Sequence, residues 1–210
     1  MIAIIDYKAG NLKSVERALT KLGFACGITA RKEDILCAER VIFPGVGAAG
    51  KAMADLKVTG LDSVIREAVL AGKPVMGICL GAQIVLQRSE ENDADCLGII
   101  PGTVKRFPGD LSGDGGRLKI PHMGWNGVDL EKGHPVLEGI KPADEFYFVH
   151  SYYPSPSEKG FVLGTTDYGI RFPSIIGRNS LIAVQFHPEK SGAAGLRILK
   201  NFCTWDGHAE

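Results

Sequence analysis

The sequence has no surplus of either charge. Lys and Arg total 24, Asp and Glu total 24, and the formal net charge is zero. Without a basic excess or a polybasic block, neither nucleic acid nor a membrane surface is indicated as a partner. A balanced charge also leaves a protein modestly prone to association. No apolar run reaches the roughly 18 residues of a transmembrane helix. The opening segment, MIAIIDYKAGN, lacks the basic region of a signal peptide, and Asp6 interrupts its short apolar run. A cytoplasmic location is the expectation. The cysteines Cys26, Cys37, Cys79, Cys96 and Cys203 are odd in number, widely spaced and without a CxxC pair. That usage suits a reducing compartment and argues against a disulfide scaffold or a cysteine zinc site. There is no HExxH, and His122, His134, His150 and His208 show no ligand spacing, so no metal site is expected. His134, before Pro135, reads as a surface turn residue and His208 as part of a solvated tail.

What the chain does contain is 210 residues, 45% of them hydrophobic, with 27 glycines. That is enough for one domain with a sizeable core and many tight turns. The first half alternates strands and helices. Ile2–Ile5 reads as a buried parallel strand, and Asn11 as the cap of a helix through about Leu22, with Leu12, Val15, Leu19 and Leu22 on one stripe. Strands follow at Phe24–Ile28 and Arg40–Phe43, a helix at Leu61–Leu70, the strand PVMGI, and a helix opened by Leu80 and Gly81. The expected fold is α/β: a doubly wound, mostly parallel, flavodoxin-like sheet with helices on both faces and ligands at the carboxyl ends of its strands. In the second half, LGIIPGTVKRF reads as two short strands around a turn, residues 109–116 as surface loop, and EFYFVHSYY, FVLGTTDY and FPSIIG as antiparallel embellishment. Leu181–Phe186 returns to the main sheet, and a helix from about Ala193 to Phe202 closes it. Residues 1–203 form a single domain in this reading, with 204–210 a polar tail.

Three residues then stand out. Cys79 sits in Gly77-Ile78-Cys79-Leu80-Gly81, between a buried strand and a helix. Glycines on both sides leave room for the sharp turn of a nucleophile elbow, and the helix that follows aims backbone N–H groups at the sulfur. His187 follows IAVQF, at a strand end expected on the same edge of the sheet as Cys79. Pro188 stiffens the turn, and Glu189, two residues on, is within reach of the imidazole to hold its tautomer. Nucleophile, base and orienter are all supplied. The N–H of Leu80 is one candidate oxyanion donor, and the loop Pro44-Gly45-Val46-Gly47 is the source of another.

GICLGAQ followed by AVQFHPEKS resembles the class I, triad-type glutamine amidotransferases. More closely, DYKAGNLKSV, PGVGAAGKAM, PHMGWN and FVHSYY are similar to the glutaminase subunits of imidazole glycerol phosphate synthase. The likeness runs from the first strand to the last helix. It implies hydrolysis of L-glutamine by Cys79, His187 and Glu189, with no cofactor. It implies delivery of ammonia to a separate (β/α)₈ cyclase in a heterodimer serving histidine biosynthesis. A barrel of about 250 residues has no room in this chain. The likeness implies oxyanion donors at Val46 and Leu80, with Gly45 and Gly47 in a loop whose Gly45–Val46 peptide turns over. It also implies glutamine binding by Gln83, Glu91, Ser151 and Tyr152, and cyclase contacts at Asn11, Trp125, Tyr147 and Lys190. The ordinary alternative for Trp125 is a core aromatic, and for Glu91 a solvated charge run in which Glu90 is easily mistaken for it.

Ala82 and Ala49 stand where many members of that family carry larger apolar residues, which bears on packing rather than on chemistry. Three rival readings remain at this stage. The glutaminase of pyridoxal 5′-phosphate synthase has a GGES-type loop in place of PGVG. A peptidase-like hydrolase leaves Gln83 and the His-Pro-Glu ending unexplained. A catalytically idle activating subunit has no need of an intact Cys79, His187 and Glu189.

Overall fold

Ile2–Ile5 (β1) is apolar at every position, as a strand covered on both faces must be, and all four residues are buried. The computed structural model describes residues 1–8, 10–113 and 116–208. In it β1 lies between Cys26–Thr29 (β2) and Arg40–Gly45 (β3), parallel to both. Val75–Cys79 (β4) adds to β3, and Leu181–Val184 adds to β4, again in parallel. Three antiparallel strands, Arg171–Arg178, Val162–Asp167 and Asp129–Leu130, extend that edge to a sheet of eight.

Period-two alternation divides the core between the two faces. Ile2, Ile4, Ile42, Met76 and Ile78 pack against Leu12–Lys21 (α1) and Gly192–Thr204 (α6). Ala3, Ile5, Val41, Phe43 and Val75 pack against Lys32–Cys37 (α2), Ala49–Thr59 (α3) and Leu61–Leu70 (α4). The doubly wound expectation is met. Ala49 and Ala82 are both fully buried in the second of these cores.

Several local expectations need correction. Pairing in β2 begins at Cys26 because the Phe24 N–H bonds back to Leu19 at the end of α1. Leu97–Ile100 is not a strand: its N–H groups go to the carbonyls of Ile84, Val85 and Leu86, left free where α5 (Leu80–Ile84) ends. Only Gly102–Arg106 is extended there. Within the expected loop 109–116, Ser112–Gly113 and Gly116–Arg117 pair briefly, and Asp114 and Gly115 lie outside the described residues. Helices α2 and α3 and the strand His122–Gly127 are additional to the elements expected from the sequence. The chain is also packed beyond residue 203. Thr204 belongs to α6, Trp205 is 4% exposed, and Arg40 donates twice to the Trp205 carbonyl. The last two tail residues, Ala209 and Glu210, lie outside the described residues. His134, expected in a surface turn, is buried edge-on against Trp205 and accepts from the Val136 N–H. No helix among the described residues is long and apolar enough to cross a membrane.

Candidate active site

Parallel register brings the strand ends together. Gly45 lies beside Cys79, and Val184 beside Ile78, so β3, β4 and the strand Leu181–Val184 share one carboxyl edge. Cys79 itself has φ 55° and ψ −106°, a conformation that strains any residue with a Cβ. The turn is as tight as the flanking glycines imply. A Cβ on Gly81 would stand 2.2 Å from the Phe43 carbonyl oxygen, and one on Gly77 2.9 Å from the Gly81 carbonyl. A Cβ on Gly45, in the loop alongside, would stand 2.2 Å from the Tyr7 hydroxyl oxygen. Backbone, unlike a side-chain tip, cannot rotate away. Gly81→Ala is therefore expected to destabilise the fold by about 1–3 kcal/mol. A lowered urea midpoint with unchanged slope, together with slower alkylation of Cys79, checks this.

His187 follows the strand Leu181–Val184, and its N–H donates to the Tyr147 carbonyl at 2.9 Å. Its Nδ1 lies 2.8 Å from Glu189 Oε1, on a single turn spanning Pro188–Lys190. The carboxylate only accepts, so Nδ1 carries the proton. Both side chains are nearly inaccessible, at 3% and 0% exposure. Asn11 Nδ2 donates to the same Glu189 oxygen at 2.6 Å. Asn11 precedes α1 in a left-handed conformation, φ 73°, and makes no side-chain cap there. The capping role expected for it is thus incorrect: its left-handed backbone differs from the extended conformation of a side-chain cap, and its Nδ2 serves Glu189.

The Nε2 of His187 is buried and makes no hydrogen bond of good geometry among the described residues. Its neighbour is the Cys79 sulfur. Burial by itself lowers the His187 pKa, but proximity to Cys79 and the bond to Glu189 outweigh it and raise the value to about 9.

A cavity of about 360 Å³ opens over the sulfur. Val46, Gly47, Leu80, Gln83, Glu91, Ser151 and Tyr152 line it together with Cys79 and His187. Its size is that of a small-molecule site. Gln83 is 5% exposed and donates to the Tyr152 carbonyl at 2.9 Å and to Gln185 Oε1 at 3.0 Å. Glu91 Oε2 accepts from the Ala49 N–H at 2.7 Å. Glu90 is exposed and accepts from the Arg106 N–H instead, which distinguishes the two neighbours.

Three of the residues expected at a partner surface stand together. The Trp125 and Tyr147 rings are edge to face at 6.0 Å, and Lys190 Nζ lies 5.9 Å from the Tyr147 ring. Trp125 is 53% exposed, so the core alternative for it is excluded, and Met123 on the same strand is 61% exposed. The sequence gives no role at the site to His122, His150 or Gln185, all buried, of which His150 lines the cavity. Two of them lie within PHMGWN and FVHSYY, segments already singled out, but nothing in their spacing announces that they meet.

The family model for class-I glutamine amidotransferases matches residues 3–205. The imidazole glycerol phosphate synthase subunit HisH of Nitratidesulfovibrio vulgaris strain DP4 is 56% identical over 203 residues, covering 96% of this chain and 95% of that one. The HisH subunit of Dehalococcoides mccartyi strain 195 is 49% identical, with 96% of each chain covered. Among solved structures, a glutamine amidotransferase superposes with TM-score 0.75 at 19% identity, covering 99% of this chain and 100% of that one. PurLQS from Thermotoga maritima gives 0.73 at 16%, covering 97% of both. At those identities the likeness is one of fold. The sequence matches carry more: the chain belongs to the class-I glutamine amidotransferases and, within them, to the family of imidazole glycerol phosphate synthase HisH subunits.

Proposed function

We propose that the protein hydrolyses L-glutamine to L-glutamate and ammonia, and hands the ammonia to a separate (β/α)₈ cyclase subunit that makes imidazole glycerol phosphate in histidine biosynthesis. The observation that carries this reading is the His187–Glu189 hydrogen bond beside the Cys79 sulfur in the lining of a small-molecule cavity. Close HisH relatives support it. His187 takes the proton of Cys79, and the thiolate attacks the carboxamide carbon. The tetrahedral intermediate collapses to a thioester as His187 protonates the departing ammonia. Water, activated by the same ring, then releases glutamate. Substrate and water balance the products, so the step needs no cofactor. Glu189, itself held by Asn11, keeps the imidazole in one tautomer throughout.

The N–H groups of Leu80 and Val46 are the oxyanion donors in this reading, with Gly45 and Gly47 giving the loop its freedom. Gln83, Glu91, Ser151 and Tyr152 frame the amino-acid end of the substrate. Trp125, Tyr147 and Lys190 contact the cyclase, with Asn11 linking that face to the triad. The five free cysteines accord with a cytoplasmic site of action.

Glutamate release is the test, measured for the free protein, for its complex with the cyclase, and for the complex with an analogue of the cyclase substrate. A rise in kcat on the order of 100-fold across the series is expected if one oxyanion donor is set only in the loaded complex. Equal kcat in all three states overturns that dependence. No glutamate in any of them overturns the hydrolysis.

A further inference from the structure

From His150, which lines the cavity beside Ser151 and Tyr152, runs a line of hydrogen bonds that the proposed chemistry does not use. Asn126 Nδ2 donates to the Asp167 carbonyl at 2.8 Å and lies 3.3 Å from His122 Nε2. His122 Nδ1 is 3.0 Å from His150 Nε2, and His150 Nδ1 is 2.8 Å from the Tyr152 carbonyl. We infer that His122 and His150 are positioning residues for the glutamine pocket, holding the Tyr152 peptide through a relay that runs in one direction only.

The direction follows from the two ends, both backbone carbonyls that only accept. At the Tyr152 end, His150 Nδ1 must carry the proton, leaving Nε2 as the acceptor. His122 Nδ1 must then be the donor, and its Nε2 the acceptor for Asn126. At the other end, the Asp167 carbonyl independently requires the Asn126 NH₂ group on that side, which is the same sense. Both rings are neutral: burial pushes His122 down to about 4 and His150 down to about 3. His122 is further fixed between Tyr168 and Phe148, with ring centroids at 4.0 and 4.7 Å.

What the relay secures is the orientation of one peptide. The strand Tyr152–Pro156 pairs with Gly102–Arg106 on one side only, and the Phe107 N–H takes the Ser151 carbonyl there. Tyr152 therefore presents its own N–H and C=O to the free edge, since the two point the same way in an extended strand. His150 and Gln83 both claim the carbonyl. The N–H remains on the cavity edge as a donor suited to an anionic group such as the carboxylate of an amino acid. Gln83 also reaches Gln185, whose Nε2 lies 3.8 Å from the Cys79 sulfur. The same lattice thus ties the Tyr152 peptide to the elbow. Two histidines serving only as core filler need neither a shared sense nor carbonyl anchors at both ends.

This inference rests on the glutaminase reading, and the test separates the two. In the complex with the cyclase, His122→Phe keeps the stacked ring but removes the donor to His150. KM for glutamine is expected to rise about tenfold or more, with kcat changed far less. His122→Asn, whose Nδ2 can replace the lost donor, should restore most of the affinity. An unchanged KM in His122→Phe, or a fall in kcat without a change in KM, overturns the relay. A wild-type complex that releases no glutamate overturns the underlying reading instead. Should His122→Phe fail to fold, nitrogen NMR of the wild-type rings decides. Both histidines are expected in the Nδ1–H tautomer at neutral pH, and an Nε2–H or cationic ring at either position overturns the proposal.

Discussion

Cys79→Ala is expected to abolish glutamate release, lowering kcat by on the order of 10⁴ or more, because no other thiol among the described residues lines the cavity. Synthesis by the cyclase complex supplied with ammonium salts should persist, since that route bypasses the thioester. The substitution is well suited to isolate chemistry from folding. Alanine keeps the Cβ that the strained elbow already accommodates, and the side chain is 7% exposed in a packed site. The denaturation midpoint should therefore move little. Parallel measurement of glutamate release and ammonia-dependent synthesis checks the pair. Loss of both activities with an intact fold would mean that Cys79 serves the partner contact rather than the hydrolysis. Survival of glutamate release would remove it from the mechanism. Brief treatment with a glutamine-like electrophile adds a direct readout, which should label Cys79 ahead of Cys26, Cys37, Cys96 and Cys203.

Stability against urea is expected to peak near neutrality and fall steeply in acid, and the reason is a set of histidines buried without charge. Burial lowers His122 and His134 from 6.5 to about 4, and His150 from 6.5 to about 3. Below pH 6.5 the unfolded chain takes up these protons while the native protein does not, so stability is lost as pH falls from 6.5 toward 3. Each ring accounts for on the order of 3 kcal/mol by the acid end of that window. His187 runs the other way. Its folded value, raised to about 9, gives stabilisation that is complete below 6.5 and disappears as pH rises through 9. The two trends leave the maximum between them. His134 isolates the acid limb, because it lies against Trp205, away from the cavity. His134→Asn keeps an acceptor for the Val136 N–H but no longer titrates. It should remove about a third of the acid loss between pH 6.5 and 4. A urea midpoint whose pH dependence is unchanged by that substitution would show that His134 takes up its proton equally in the native and unfolded states.

The sequence carried the elements whose signals are local. Ile2–Ile5 and the strand ending at Cys79 announce themselves by unbroken apolar runs, and the helix over Leu61–Leu70 by its periodic apolar face. The elbow is legible because sterics at a tight strand-to-helix turn admit only glycine at Gly81, where a Cβ would meet the Phe43 carbonyl. His187 and Glu189 are legible because only Pro188 separates them, and a short turn closes that distance whatever the rest of the chain does. Short, weakly patterned elements were not legible. The helix Lys32–Cys37 has one buried residue, Ile35, and the strand His122–Gly127 holds two glycines and exposes Met123 and Trp125. Nothing local marks them, since pairing with Glu145–His150 supplies the reason for the second.

Tertiary structure decided which polar side chains meet. Asn11 looked like a helix cap by the ordinary local rule. Its backbone is left-handed rather than the extended conformation of a side-chain cap, and its Nδ2 donates to a carboxylate 178 residues away, Glu189. Trp205 was assigned by composition to a polar tail, but Arg40, from a strand across the sheet, holds its carbonyl in place. His122 and His150 come together only through antiparallel register, at positions that pair directly across two strands. Sequence thus singled out Cys79, His187 and Glu189 as candidate nucleophile, base and orienter, because that pattern depends on neighbours within a few residues. It could not determine the supporting lattice, because most of those bonds span tens of residues and exist only once the sheet has fixed its register.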